Sequence, residues 1–220
     1  MEGDIIIIEE HHKRAAGQIV KMIIDDIYDT KEKYIITVGG ESGSGKSEIA
    51  VSIANEFKAR GIKCYIFQQD DYFIYPPKTN SKIRKNNINW VGTKEVKIGL
   101  LDSHLKSIKQ GNNKIVKPLV IFKDNKITEE TVNIDECKVV IAEGTYTTLL
   151  KNVDKHIFID SDMRRTLAAR RKRNREKQDE FLEKVLTIEH NIISSHRQNA
   201  EITITKDFNA ILDKKEINNE

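Results

Sequence analysis

The stretch that most constrains this chain is YIITVGGESGSGKSEIAVSIANEF, residues 34–57. It opens on five β-forming residues, 34–38. It closes on a run in which Ile49, Ala50, Ile53, Ala54 and Phe57 share one helical face, so that a helix is expected over 46–59. Between them GESGSGKS, residues 40–47, fits G-x-x-x-x-G-K-[ST] in the strand–loop–helix setting that gives this spacing its physical meaning. Glycines let a backbone wrap closely around phosphates with successive N–H groups pointing inward, and the following helix N-terminus adds partial positive charge. In this reading Gly40, Glu41, Ser42, Gly43, Ser44 and Gly45 form a phosphate cradle. Lys46 reaches the β- and γ-phosphates, and the Ser47 hydroxyl ligates magnesium.

The remaining pattern surrounds that loop with an α/β fold. Ala15, Ala16, Ile19, Val20, Ile23, Ile24 and Ile27 recur at helical spacing over residues 10–29, and further helices are expected near 100–108 and 181–193. Short apolar strands are read at 64–67, 138–142, 156–159 and 202–205. Residues 5–8 form a short strand or a packed arm. Helices alternating with short, unalternating apolar strands indicate a parallel sheet covered on both faces. The regularity breaks between Asp70 and Trp90, which is polar, aromatic and irregular. Weak alternation over 116–122 and 130–134 around KDNK reads as a hairpin. A chain of 220 residues then makes one domain, with an insertion at about 72–135.

Composition narrows the partners. A net charge of +3 gives no general basic surface for nucleic acid or membrane. No apolar stretch reaches membrane-spanning length, and DIIIIEE lacks the basic start and cleavage site of a signal peptide. Cys64 and Cys137 lie in apolar runs without metal-ligand spacing and read as reduced core thiols, as in a cytoplasmic protein.

Three further segments supply groups that a phosphate cradle alone does not need. In YIFQQDDYF, Asp70 and Asp71 fall just past a strand, at the edge where open parallel sheets keep their reactive groups. There Asp70 can deprotonate an acceptor hydroxyl or hold magnesium through water; a capping or solvated acidic pair is the plainer alternative. In KVVIAEG, the strand ends at Glu143, whose carboxylate can support the metal, and Gly144 suggests close backbone approach. The run DMRRTLAARRKRNREK holds Arg164, Arg165, Arg170, Arg171, Arg173 and Arg175. Arg170 and Arg173 share one helix face, as do Arg171 and Arg175. Mobile arginines neutralise the charge of a transferring phosphoryl group; a solvated or RNA-binding basic helix is the alternative, and no aromatic residue is interleaved to favour RNA.

Together these segments resemble the uridine kinase and phosphoribulokinase family of P-loop kinases, over about residues 34–205 and most closely in its uridine kinase branch. QQDDYF is similar to the family's Gln-Asp-Ser-Phe-Tyr segment, with Asp70 on the catalytic Asp. EETVNIDECKVVIAEGTY resembles the Glu-Glu-Thr segment and following strand, which gives Glu143 the acidic role. IFIDSDMRRTLAARRKRN resembles the Asp-Thr-Asp segment and the arginine-bearing lid, here about 163–178, with Arg170 and Arg173 on lid arginines. INW, residues 88–90, resembles Asn-Trp-Asp. The resemblance implies a P-loop NTPase-type fold with a five-stranded parallel sheet and a mobile arginine-rich lid. It also implies transfer of the γ-phosphoryl group of ATP or GTP to a small-molecule hydroxyl with Mg2+, often in a homodimer or homotetramer. No nucleic-acid or membrane partner is expected.

Departures from that pattern fall on the acceptor side. Val120 and Ile121 stand where uridine and cytidine kinases resembling this chain have Tyr and Asp. Asn125 stands for His and Ile127 for Arg; Trp90 is followed by VGTK instead of an acid, and Asn174 replaces an Asp. Losing hydrogen-bonding groups weakens the grip on a pyrimidine nucleoside. The segment 72–90 then becomes the expected acceptor pocket, with Asp71, Tyr72, Phe73, Tyr75 and Arg84 as contacts. Two rival readings are a kinase for another acceptor (a sugar, vitamin precursor or different nucleoside) and a non-catalytic nucleotide-binding regulator or RNA-interacting protein.

Overall fold

The structure, a computed structural model, describes residues 6–161 and 179–213. Its centre is a six-stranded sheet in the order β2-β5-β1-β6-β7-β8, built from β1 (Tyr34–Gly40), β2 (Cys64–Gln68), β5 (Val139–Gly144), β6 (Lys155–Ile159), β7 (Ile202–Ile204) and β8 (Ala210–Leu212). The first five run parallel, as expected, and β8 adds an antiparallel edge that the sequence reading did not foresee. Every residue of β1 and of β5 is buried, because helices cover both faces. Alternation divides β1 between them: Ile36 and Val38 enter one core, Ile35 the other.

On the first face lie α1 (Glu10–Asp29) and α2 (Lys46–Lys58). Ala15, Ala16, Ile19, Val20, Ile23 and Ile27 of α1 are at most 1% exposed, so this helix is a structural layer. Arg14 donates to the Asp207 carbonyl and Gln18 accepts from Ala210 N, tying α1 to the β8 edge. Residues 6–9, at the end of the expected arm, have no regular structure.

The second face carries α4 (Ile98–Lys109), and α5 (Glu180–Ile193) contributes Ile193 to it. Between β2 and α4 the chain forms a 3-10 turn, Gln69–Tyr72, and then α3 (Pro77–Asn86). The irregular segment of the sequence reading therefore contains a helix. β3 (Lys114–Ile121) and β4 (Lys126–Asn133) pair antiparallel as a separate two-stranded hairpin, and Ile115 and Val132 bury into the second core. The arginine-rich lid, about 163–178, with Arg164, Arg165, Arg170, Arg171, Arg173, Asn174 and Arg175, lies outside the described residues.

Candidate active site

The parallel register brings three strand ends to one edge. Val38 and Gln68 both lie beside Glu143, so the cradle leaving β1 and the acidic turn leaving β2 flank the carboxylate one residue before the end of β5. The cradle is shaped by backbone. Gly45, the N-cap of α2, has φ of 95°, and a Cβ there would stand 3.1 Å from His12 Nε2; glycine meets both demands. Gly144 meets the close approach expected of it, since a Cβ would fall 2.2 Å from that of Gln69. The Gln69 side chain accepts from Tyr146 N across that gap at 2.7 Å.

The charged groups are arranged around this edge. Lys46 Nζ donates to the Glu41 carbonyl at 2.8 Å, folded back along the loop. Ser47 Oγ donates to Glu143 Oε1 at 3.1 Å. Burial and then the neighbouring Asp70 carboxylate push Glu143 up to about 7, against the pull of Lys46 and of the Ser47 hydrogen bond. Ser44 Oγ is buried inside the loop without a hydrogen-bond partner among the described residues. Glu41, a carboxylate within a phosphate cradle, is paired with His190 of α5.

These groups fit a magnesium nucleotide. The donor set is a hydroxyl and two carboxylates, hard oxygen ligands of the kind Mg2+ takes alongside phosphates and water. Among the described residues no cluster of three or more His, Cys, Asp or Glu makes a self-sufficient metal cage. The buried, raised carboxyl of Glu143 is a site where an arriving cation would compensate charge. Bound there, the ion would neutralise phosphate oxygens, held by Ser47 with Glu143 and Asp70 in support.

The expected acceptor contacts separate into two groups. Phe73 and Tyr75 are partly exposed, and Tyr75 lies beside Trp90, ring centroids 5.8 Å apart. Asp71, Tyr72 and Arg84 turn instead to protein partners. Tyr72 is fully buried with its hydroxyl 2.9 Å from His104 Nδ1, because a tyrosine in a core needs a partner for its OH. Arg84 forks onto Glu95 and reaches Glu189 of α5 at 3.0 Å. The Asp71 carboxylate meets Lys117 and the backbone of β3. His190, Lys117 and Glu189 were not singled out from sequence, since each acts through a partner far along the chain, and Glu95 was not because its partners Asn80 and Arg84 meet it only once α3 has folded.

Strand order, cradle and acidic edge together have the form of a P-loop kinase. The profile of the phosphoribulokinase/uridine kinase family matches residues 35–204, and the chain belongs to that family. A bifunctional alpha-galactosidase/sucrose kinase of Mediterraneibacter gnavus is 26% identical over 193 residues, covering 81% of this chain; the chain spans only 21% of that protein's length. The uridine kinase of Ureaplasma parvum is 29% identical over 166 residues, 72% of this chain and 77% of its own. The phosphoribulokinase of Rhodobacter spheroides superposes with a TM-score of 0.62 at 13% identity, covering 80% of this chain and 71% of the other, a likeness of fold. Among the described residues no helix is long and apolar enough to cross a membrane.

Proposed function

We propose that the chain transfers the γ-phosphoryl group of ATP, or GTP, to a hydroxyl of a small molecule, with Mg2+, in the manner of its uridine kinase relatives. The observation that carries this reading is the convergence of Ser47, Glu143 and Asp70 around the cradle. A pure nucleotide binder has no need of a base, the role that Asp70 would add to its support of the metal. Lys46 and the loop amides would hold the donor phosphates and Asp70 would take the acceptor proton. Ser47 and Glu143 would hold the metal, and Arg170 and Arg173 would close over the transferring group. Phe73 and Tyr75 would wall the acceptor.

A second reading concerns the acceptor alone. Asn125, which stands where uridine-type relatives resembling this chain have a nucleoside-reading His, is occupied elsewhere. Its Oδ1 accepts from Lys78 N at 2.8 Å, and its Nδ2 donates to Thr79 Oγ1 at 2.9 Å, at the start of α3. That favours an acceptor other than a pyrimidine nucleoside, and the sucrose kinase likeness makes sugars the first alternative. A coupled ADP-release assay with MgATP against uridine, cytidine, sucrose, fructose and vitamin precursors tests both readings. Turnover confined to uridine and cytidine would remove the second. Acceptor-independent silence with ATP still bound would remove the first.

A further inference from the structure

Lys117 is a charged residue in the protein interior. Its side chain is 2% exposed, and that of Asp71 is 3% exposed. Its ammonium contacts Asp71 Oδ2 at 2.7 Å, Glu130 on the facing strand at 2.8 Å and the Pro118 carbonyl at 3.1 Å, so all three protons have an acceptor. The other Asp71 oxygen accepts from Val120 N at 3.0 Å. One carboxylate therefore grips β3 twice, through a side chain and through the backbone three residues on.

The location matters as much as the burial. Asp71 directly follows Asp70 in the turn Gln69–Tyr72. The hairpin it grips shares no strand pairing with the central sheet among the described residues. A second polar tie holds the hairpin's far end, where Asn125 meets the start of α3. Burying an ion pair contributes little net stability compared with apolar residues of like volume, but its directional contacts fix one register. A slip of β3 by one residue would turn Lys117 to the opposite face.

We propose that Asp71 and Lys117 are a positioning pair, registering the β3–β4 hairpin against the turn that carries Asp70 and so holding that carboxylate in line for the acceptor. The pair thus acts through Asp70 and the hairpin, not on the acceptor itself. The inference rests on the phosphoryl-transfer reading for its kinetic consequence, and on geometry alone for its structural one.

Single substitutions strand one buried charge, so the principal variant is Asp71→Leu/Lys117→Met, which removes both. Two readouts apply to the full chain: hydrogen exchange of segments 69–73 and 114–121, and steady-state kinetics with MgATP and either uridine or fructose. The folded double variant should exchange faster in both segments, and its kcat should fall about tenfold or more with the acceptor KM raised and the MgATP KM unchanged, the mark of lost alignment. Asp71→Asn, nearly isosteric and still able to accept from Val120 N, guards against misfolding of the double variant and should lose about threefold to tenfold in kcat. Unchanged exchange in both segments, or wild-type kcat and acceptor KM in either folded variant, would overturn the proposal. If the wild-type chain phosphorylates neither probe, it is the kinase reading that fails for them, and the exchange comparison still decides the pair.

Discussion

Glu143 shows what the site costs the fold. The folded chain holds this carboxyl's proton up to about pH 7, against an ordinary 4.5, with burial the largest cause. A carboxyl whose pKa is raised by folding contributes stability below its ordinary value and loses it as pH rises through the window to about 7. A shift of that size is worth up to about 3 kcal/mol above the window. Glu143→Gln keeps an acceptor for Ser47 and removes the charge. Without nucleotide or magnesium, its stability advantage over wild type, measured by denaturant titration, should grow from pH 5 to pH 8. Under the proposed function its phosphoryl transfer should fall by about a hundredfold or more, because the magnesium ion would lose a charged supporter. An advantage over wild type of the same size at both pH values would contradict the burial argument.

Elements differ in how much of them the sequence reveals. α2 was legible because its face of Ile49, Ala50, Ile53 and Phe57 repeats with helical period and all four residues are fully buried. α3 was not, because PKTNSKIRKN offers one apolar residue and no stripe. What holds it is remote: Asn125 caps its start from 46 residues away, while Asn80 and Arg84 bind the buried Glu95. Asn125→Ala should therefore cost about 1 kcal/mol in urea unfolding, as for a lost helix cap, with faster amide exchange confined to α3 and the hairpin tip. Unaltered exchange in α3 would show that the cap is not what holds it. The same distance explains why Asp71 and Arg84 read as open acceptor contacts in sequence: Lys117 and Glu189 announce nothing until the fold brings them in. The cradle's glycines and Lys46, by contrast, are shaped by backbone and near neighbours, as where Lys46 folds back on the Glu41 carbonyl, so their spacing is legible in the sequence.

At the scale of the molecule, the family profile covers residues 35–204, whereas α1 precedes it and β8 follows it. Those two elements contact one another, and α1 shares with α2 the covering of one face of the sheet. Ile19, Val20, Ile23 and Ile27 are each essentially fully buried, and exposing side chains of this size costs about 1.5–3 kcal/mol apiece. Their sum rivals the entire stability of an ordinary domain, roughly 5–15 kcal/mol. A chain starting at residue 31 should therefore fail to fold, giving aggregated protein without a cooperative melting transition. A soluble, cooperatively melting truncation would mean that α1 is an accessory.

The central claim is that this edge moves a phosphoryl group and does not only hold one. Asp70 decides it, since a nucleotide binder can do without a base. The direct measurement pairs acceptor-dependent ADP release with the MgATP dissociation constant for wild type and Asp70→Ala, using whichever acceptor the wild type phosphorylates. Transfer should disappear in the variant, by about a thousandfold or more on general-base and alignment grounds, while MgATP affinity falls by no more than about tenfold, because the cradle, Ser47 and Glu143 would still hold nucleotide and ion and Asp70 would only support the metal. Acceptor-dependent release that survives the substitution would contradict the role given to Asp70, and with it the mechanism built on this edge.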